Sequence, residues 1–596
     1  MQLSTLDWFI IIGFLLVIFG VGLSFTKKSG KDMESFFLGG RNMHWLLAGV
    51  SMVATTFAAD TPLAVTELVG QNGIAGNWLW WSFLAGGMLT TFFFARMWQR
   101  SGVMTEVELI ELRYSGEPAK FLRGFKAIYL GVVMNVIVIA WVNVALQSLL
   151  TVFFGLDPMT ALMYTGLAML MAAIYTSFSG IQGVAVTDAI QFVVAMVGCA
   201  ILAYLVITSP EIGGIDNLKE QAEAIKPGIL NFFPTIDNDN SIASTGNSLV
   251  LSFGAFFAYA GVQWWASWYP GAEPGGGGYI AQRMMSTRSD KDAVYATLFF
   301  QIAHYCIRPW AWILVALAAV VLYPELSAND GADAKLGYVY AMRDFLPSGL
   351  QGLLLVAFLA AYMSTISTQL NWGASYVVND LYKRFISPNE SDKHYVFSSR
   401  IFTLVLMVIG LIVSTKVNSI SGAWGFIMQC GAGLGLVLIL RWYWARINAW
   451  SEIAATIAPF FSTTILYFTD IAFPEAFLIT VLFTTVVWLA VTFLTPPTDA
   501  KTLQNFWQKV HQQDAPNVGN MDNTILDSHI STAPKPYGIA DLLLCWLSGI
   551  VLTYSMLFLT GKLLLKEWNT AGICAVLALV SAFGLQFFMK KVNLID

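Results

Sequence analysis

Between Ser364 and Thr368 the chain reads Ser-Thr-Ile-Ser-Thr inside an otherwise apolar run. On a helix, residues 364, 367 and 368 share a face and 365 lies beside them. Neutral hydroxyl oxygens in that density suit a partly dehydrated alkali cation, a hard ion that prefers oxygen ligands. Hydrogen bonding between helices uses the same residue types, so the cluster alone leaves both readings open. Asp188, in Thr187-Asp188-Ala189-Ile190-Gln191, opens another apolar run. A carboxylate there is costly unless paired, hydrated or bound to a cation, and a helix N-cap is the alternative use. Two stretches interrupt apolar helices. Thr55-Thr56-Phe57-Ala58-Ala59-Asp60-Thr61-Pro62 carries a charge, hydroxyls and a proline in mid-run, and Trp264 to Gly278 holds two prolines and five glycines. Proline removes a donor and disfavours helix before it, and glycine weakens helix throughout. Irregular backbone survives at membrane depth only where protein or a water-filled cavity satisfies it, so both breaks point to binding sites. The plainer readings are a proline kink for the first and a cytoplasmic turn with an interfacial aromatic belt for the second.

The elements that must position these residues are membrane helices. The chain has 596 residues, 57% hydrophobic and 12% charged, with mean hydropathy +0.64, a composition outside that of soluble globular domains. Apolar runs long enough to cross a bilayer predict about fifteen spans: 6–25, 44–70, 78–98, 126–154, 160–178, 182–208, 246–268, 294–323, 350–378, 398–417, 420–443, 450–469, 474–494, 540–560 and 570–589. Phe9 to Val21 follows Asp7 without a basic flank or a small-residue cleavage site, which predicts a retained helix rather than a signal peptide. The five cysteines lie in apolar runs without paired spacing, against a disulfide framework or thiolate metal site. A net charge of −5 with no basic stripe argues against a nucleic-acid partner. Lys and Arg gather in alternate loops, among them 27–41, 100–126, 283–291, 383–393 and 441–446, which places the N-terminus outside and the C-terminus in the cytoplasm. Loops near 209–245, 324–349 and 495–539 extend beyond the lipid. In the last, residues 502–510 have apolar positions at helical spacing, suiting either the inner membrane surface or a solvated linker helix.

Four stretches resemble, in order, the sodium:solute symporter family, which includes the sodium/glucose and sodium/proline transporters. They are Ser35-Phe36-Phe37-Leu38-Gly39-Gly40-Arg41-Asn42, the segment Ser177 to Gln191, Gly278-Tyr279-Ile280-Ala281-Gln282-Arg283, and the hydroxyl cluster followed by Asn379-Asp380-Leu381-Tyr382-Lys383. The resemblance implies an all-α membrane protein of the LeuT-type inverted-repeat (5+5) fold. Its single polytopic domain would hold a core at 44–444, with a first repeat at about 44–208 and a second at 246–443. A cytoplasmic loop at 495–539 and two extra C-terminal helices at 540–589 complete the expected layout. Carried over by position, one Na+ site would use the carbonyls of Ala54, Phe57 and Ala361 and the hydroxyls of Ser364 and Thr365. A second site, found in some members, would use Asp188, Ser364, Ser367 and Thr368.

For the solute, the resemblance points to Thr61 in the broken second span, His304 or Tyr305 in the eighth and Gln429 in the eleventh. Where sugar carriers place a carboxylate the sequence reads Trp78-Leu79-Trp80-Trp81. Glu67, Trp80, Gln263, Trp264, Trp268 and Glu273 add acidic and aromatic groups. Aromatic faces with carboxylates suit sugars by stacking and hydroxyl hydrogen bonds, or organic cations by cation–π attraction. The expected function is sodium-coupled import of a small polar solute across the plasma membrane, a bacterial inner membrane by type, with a sugar or polyol slightly favoured. The alternatives are an amino acid or organic cation as solute, or a transporter-like solute sensor. An enzyme is not expected, since neither HExxH, GxSxG nor Walker patterns occur and the five histidines are scattered.

Overall fold

The computed structural model describes residues 3–237, 250–328, 334–417, 420–469, 471, 474–511 and 538–595. Ten of its helices are long and apolar enough to cross a membrane, eleven when Trp45–Thr55 and Asp60–Asn72, bent by 58° at their junction, count as one. The bend falls where the sequence places it. Pro62 sits in the first turn of the second helix, where no intrahelical donor is required.

Two expected spans, 160–178 and 182–208, form one helical run, Pro158–Ile207, that turns at Gly180 with φ 58° and ψ −173°. Only glycine adopts that conformation readily. A Cβ at this position would also lie 2.7 Å from the Ser29 Cβ and 2.9 Å from the Phe36 carbonyl.

Three further expected spans do not meet the length and hydropathy of a simple crossing helix. Of the expected span 246–268, the described residues 250–268 are helical in short pieces, Phe253–Phe257, Ala258–Gln263 and Trp264–Ala266. The 420–443 span divides into Ile420–Cys430 and Gly435–Leu440 around Gly431 and Gly433. The third, Ala449–Tyr467, is continuous but is diluted by Glu452 and several Ser and Thr. Among the described residues eleven helices meet that length and hydropathy, with the turned run Pro158–Ile207 counted once, where the apolar runs lead to about fifteen spans. Among the described residues, Thr235–Asp237 and Val250–Ser252 form a short parallel strand pair.

The hydroxyl cluster lies in Leu350–Ser375, which is buried along nearly its whole length. It packs against Pro158–Ile207 and against Trp45–Thr55 of the bent pair. Outer helices Thr5–Ser24 and Trp568–Lys591 instead expose Phe9, Leu16, Val580 and Phe583, the arrangement a lipid solvent permits. The amphipathic stretch 502–510 belongs to the helix Ala500–His511, which buries Leu503, Phe506 and Val510. Phe506 packs 5.7 Å from the Trp442 ring, with the Arg113 guanidinium 5.6 Å from its centroid. This helix docks on the protein, correcting both the membrane-surface and the solvated-linker expectations. The C-terminal Ile539–Leu564 is likewise tied inward: Trp310 Nε1 donates to the Leu557 carbonyl (3.0 Å), Tyr554 Oη to that of Trp81 (2.9 Å) and Trp546 Nε1 to that of Ala85 (2.8 Å).

Candidate functional site

The first break and the hydroxyl helix cross at the centre of the bundle. Thr365 Oγ1 donates to the Thr55 carbonyl at 2.9 Å, the last carbonyl of Trp45–Thr55. Ala54 accepts from the Phe57 N–H at 3.0 Å inside the same break. Ala361 lies one turn before Thr365 on the hydroxyl helix, so the residues expected from the resemblance to hold the first ion lie on the two elements that cross here. Ser364 Oγ turns to Asp188 Oδ1 at 2.7 Å, and Ser51 Oγ donates to Oδ2 at 2.6 Å.

Asp188 stands inside Pro158–Ile207, well past Gly180, and its oxygens take side-chain hydroxyls rather than first-turn N–H groups. The capping alternative therefore does not apply. Ser367 Oγ donates back to the Ser364 carbonyl at 2.9 Å. Thr368 Oγ1 lies 3.1 Å from Thr55 Oγ1 and accepts from Arg283 Nη2 at 2.6 Å.

Arg283 changes the electrostatics of this second cluster. Grouped from the sequence with the cytoplasmic basic residues, it is fully buried, 3.7 Å from Asp188 Oδ2, and its Nε donates to Ser51 Oγ at 3.2 Å. The Asp188 charge thus has a resident counter-charge. A signal for it was available, because a buried carboxylate needs a partner and Arg283 stands in one of the resembling stretches.

A cavity opens beside the crossing. Thr55 and Thr365 form part of its wall, together with Thr61, Trp80 and His304 from the expected solute residues. The other expected residues lie elsewhere. Glu67 faces an adjoining outer pocket with Gln71 and Lys335. Gln263 donates to the Leu79 carbonyl at 3.2 Å, and the Trp264 ring lies 5.8 Å from Trp546. Trp268 and Glu273 are buried without reaching the cavity, and Gln429 is exposed. The reason is local: of the second interruption, only Tyr269, Pro270, Gly271 and Ala272 line the space before the chain turns away.

Sequence reasoning missed Asp60, Arg308, Thr56, Tyr269 and Tyr279 as lining residues. Arg308 Nη1 donates to the Val53 carbonyl (3.2 Å) and Thr56 Oγ1 (3.0 Å), while Nη2 lies 2.7 Å from His304 Nδ1. It braces the break from one helical turn beyond the expected His304. Asp60 lay inside the quoted break, and its charge beside Pro62 marked it as more than a kink residue.

Two broken helical segments facing one cavity, with a hydroxyl helix crossing the first, define a membrane-embedded secondary transporter of the LeuT-type inverted-repeat fold. The sequence pattern described as "SSF: Sodium:solute symporter family" matches residues 36–458, and the chain belongs to this family, whose coupling ion is sodium. It is 25% identical over 511 residues to the sodium/glucose cotransporter of Vibrio parahaemolyticus, covering 81% of this chain and 90% of that protein. It is 26% identical over 452 residues to the high-affinity proline transporter PutP of Bacillus subtilis, covering 73% and 86%. The solved substrate-bound, outward-open structure of a sodium-coupled sialic acid symporter superposes with TM-score 0.68 at 20% identity, over 84% of this chain and 99% of that one. This last likeness concerns the fold.

Proposed function

We propose that the protein imports a small polar organic solute by alternating access, driven by sodium, with a sugar or polyol favoured. The observation that carries this reading is the shared wall: Thr55 and Thr365 are bonded to each other at the ion crossing and also line the solute cavity. An ion ordering that crossing shapes the space the solute enters, so sodium occupancy selects the solute-accepting state. The ion ligands are the carbonyls of Ala54, Phe57 and Ala361 with Ser364 and Thr365. A second ion at Asp188, Ser367 and Thr368 would share its carboxylate with Arg283. At about 100 mV, two charges supply about 4.6 kcal/mol before any concentration gradient.

The cavity offers stacked aromatic pairs, Trp80 with Tyr305 (5.6 Å, 17°) and Phe83 with Tyr269 (5.6 Å, 21°). Thr56, Thr61, Gln301, Gln369 and Asp60 add hydrogen-bonding groups, a set that suits a polyhydroxylated solute. Opposite charges on Asp60 and Arg308 support an amino acid as second reading. Arg308 directs N–H groups to Val53 and Thr56 and sits against His304, which favours a bracing role and hence the sugar or polyol. In this reading the repeats run over 44–208 and 246–443, the N-terminus lies outside and the C-terminus in the cytoplasm of a bacterial inner membrane.

The test is a melting-temperature screen of purified protein against sugars, polyols, amino acids and quaternary amines, with and without sodium, followed by uptake into proteoliposomes. Sodium-dependent stabilisation by a polyhydroxylated compound that is then accumulated supports the proposal. Stabilisation without uptake would mark a sensor, and an amino acid as the sole hit would replace the solute class.

A further inference from the structure

Two of the stretches that carry the family resemblance, Ser35–Asn42 and the start of Ser177–Gln191, meet away from the solute cavity. Their meeting point is a separate concavity at the inner end of the first helix, lined among others by Lys28, Lys31, Ser35, Asn42, Ser179 and Gln182. Carboxylates are missing from its lining residues. The neighbouring acids are engaged elsewhere: Asp32 accepts from the Ser35 N–H at 2.6 Å as a helix cap, and Glu34 pairs with Arg41 at 3.5 Å. Lys28 and Lys31 are exposed and have no ion-pair partner among the described residues.

The inner wall is polar and incomplete. Ser179 is fully buried, and its Oγ has no hydrogen-bond partner among the described residues. An unpaired buried hydroxyl is costly unless a ligand completes it. Gln182 Nε2 donates to the Gly39 carbonyl at 2.6 Å, and a side chain at Gly39 would run into Gln182, 2.5 Å from its Cγ. That close approach fixes the wall behind Ser179. The concavity follows the lipid-facing helix Thr5–Ser24 directly, on the Lys- and Arg-rich side, and so lies at headgroup depth.

We infer that this concavity binds a phosphate-bearing anion. Lys28 and Lys31 supply the charge, and Ser179, Ser35 and Asn42 supply hydrogen bonds to its non-bridging oxygens. Its source is either the headgroup of an anionic phospholipid or a soluble phosphate. The bound anion ties the first helix's inner end to the Gly180 turn.

The test uses the full chain in nanodiscs of phosphatidylcholine, with melting temperature read as phosphatidylglycerol is added to the bilayer or inorganic phosphate to the buffer. Stabilisation in the lipid arm alone identifies a headgroup, and stabilisation by phosphate in phosphatidylcholine discs identifies a soluble anion. Each Lys→Ala change should raise the half-saturating level about fivefold, while Lys28→Arg with Lys31→Arg retains it. Ser179→Ala, which removes only an unpartnered hydroxyl and so should fold, should raise that level about tenfold. No response in either arm, or half-saturation unchanged in Lys28→Ala/Lys31→Ala or in Ser179→Ala, overturns the inference.

Discussion

Two buried polar regions of the molecule are built from opposite materials. At the crossing proposed to hold sodium the groups are neutral: Thr55, Ser364, Thr365 and backbone carbonyls freed by the break. On the basic side they are full charges locked together. Glu452 accepts from Lys126 at 2.6 Å, lies 3.3 Å from Arg441 and takes the Tyr114 hydroxyl at 3.0 Å, while Asp380 holds Arg123 at 2.6 Å. A fixed charge matched by a fixed countercharge has no use for a mobile ion. Oxygens without a resident cation are what sodium can replace its water with. Asp188 and Arg283, paired at 3.7 Å, stand between these cases.

The sharpest way to break this contrast is to unbalance the charged region. Glu452→Ala should leave Lys126 buried without its carboxylate and Arg441 with only Glu106, at 3.8 Å, and cost about 3–5 kcal/mol, read from thermal denaturation in detergent. A loss under about 1 kcal/mol would mean those charges are hydrated and the contrast is false. Next in size, Ser364→Ala with Thr365→Ala should abolish sodium-dependent uptake. Without sodium, its melting temperature should stay close to that of the parent protein, because neutral hydroxyl hydrogen bonds are each worth only about 1 kcal/mol. Unchanged sodium affinity would remove the first ion site.

Asp188→Asn addresses the intermediate case. If a second sodium shares the carboxylate with Arg283, reversal potentials in proteoliposomes should show the charge moved per solute fall towards one. Identical stoichiometry would assign Asp188 to the Arg283 pair alone. The smallest effect concerns Glu111, in the short helix Leu109–Arg113 between spans. Burial by itself would raise its carboxyl, but hydrogen bonds from Arg384 and Arg123 outweigh this and hold it below the usual range. A depressed folded-state value means the contribution is present above the unfolded pKa of about 4.3 and is lost as pH falls through the folded value. Arg384→Ala should therefore cost no more than about 1 kcal/mol at pH 7 and flatten the acid side of the stability profile.

The first break could be placed from sequence because Pro62 and the hydroxyls beside it violate the apolar pattern, and the hydroxyl cluster because its spacing repeats a helical face. Arg283 and Arg308 were hidden for a shared physical reason. Arg283 falls between two apolar runs and reads as a loop residue, and Arg308 falls inside the run 294–323, while the burial of each depends on partners far away in sequence, Asp188 for one and the Val53 carbonyl for the other. The solute residues assigned between Gln263 and Glu273 failed to gather because a segment rich in proline and glycine carries no periodicity from which facing can be read. The same lack of periodicity divides two expected spans in the structure, where the described part of 246–268 and the run 420–443 are helical in short pieces rather than as simple helices.

The inward ties of Ile539–Leu564 bear on how the molecule is made. Tyr554 reaches the Trp81 carbonyl across 473 positions of sequence, and Trp546 reaches Ala85 across 461. At about 5–20 residues per second, the ribosome needs roughly half a minute to a minute and a half to travel that interval. For all of that time the carbonyls of Trp81 and Ala85 lack their final partners, in a helix already delivered to the bilayer. The early spans therefore await the last helices for these contacts, so a ribosome that stalls before residue 546 leaves a chain in which both carbonyls lack the donors that tie the C-terminal helix inward.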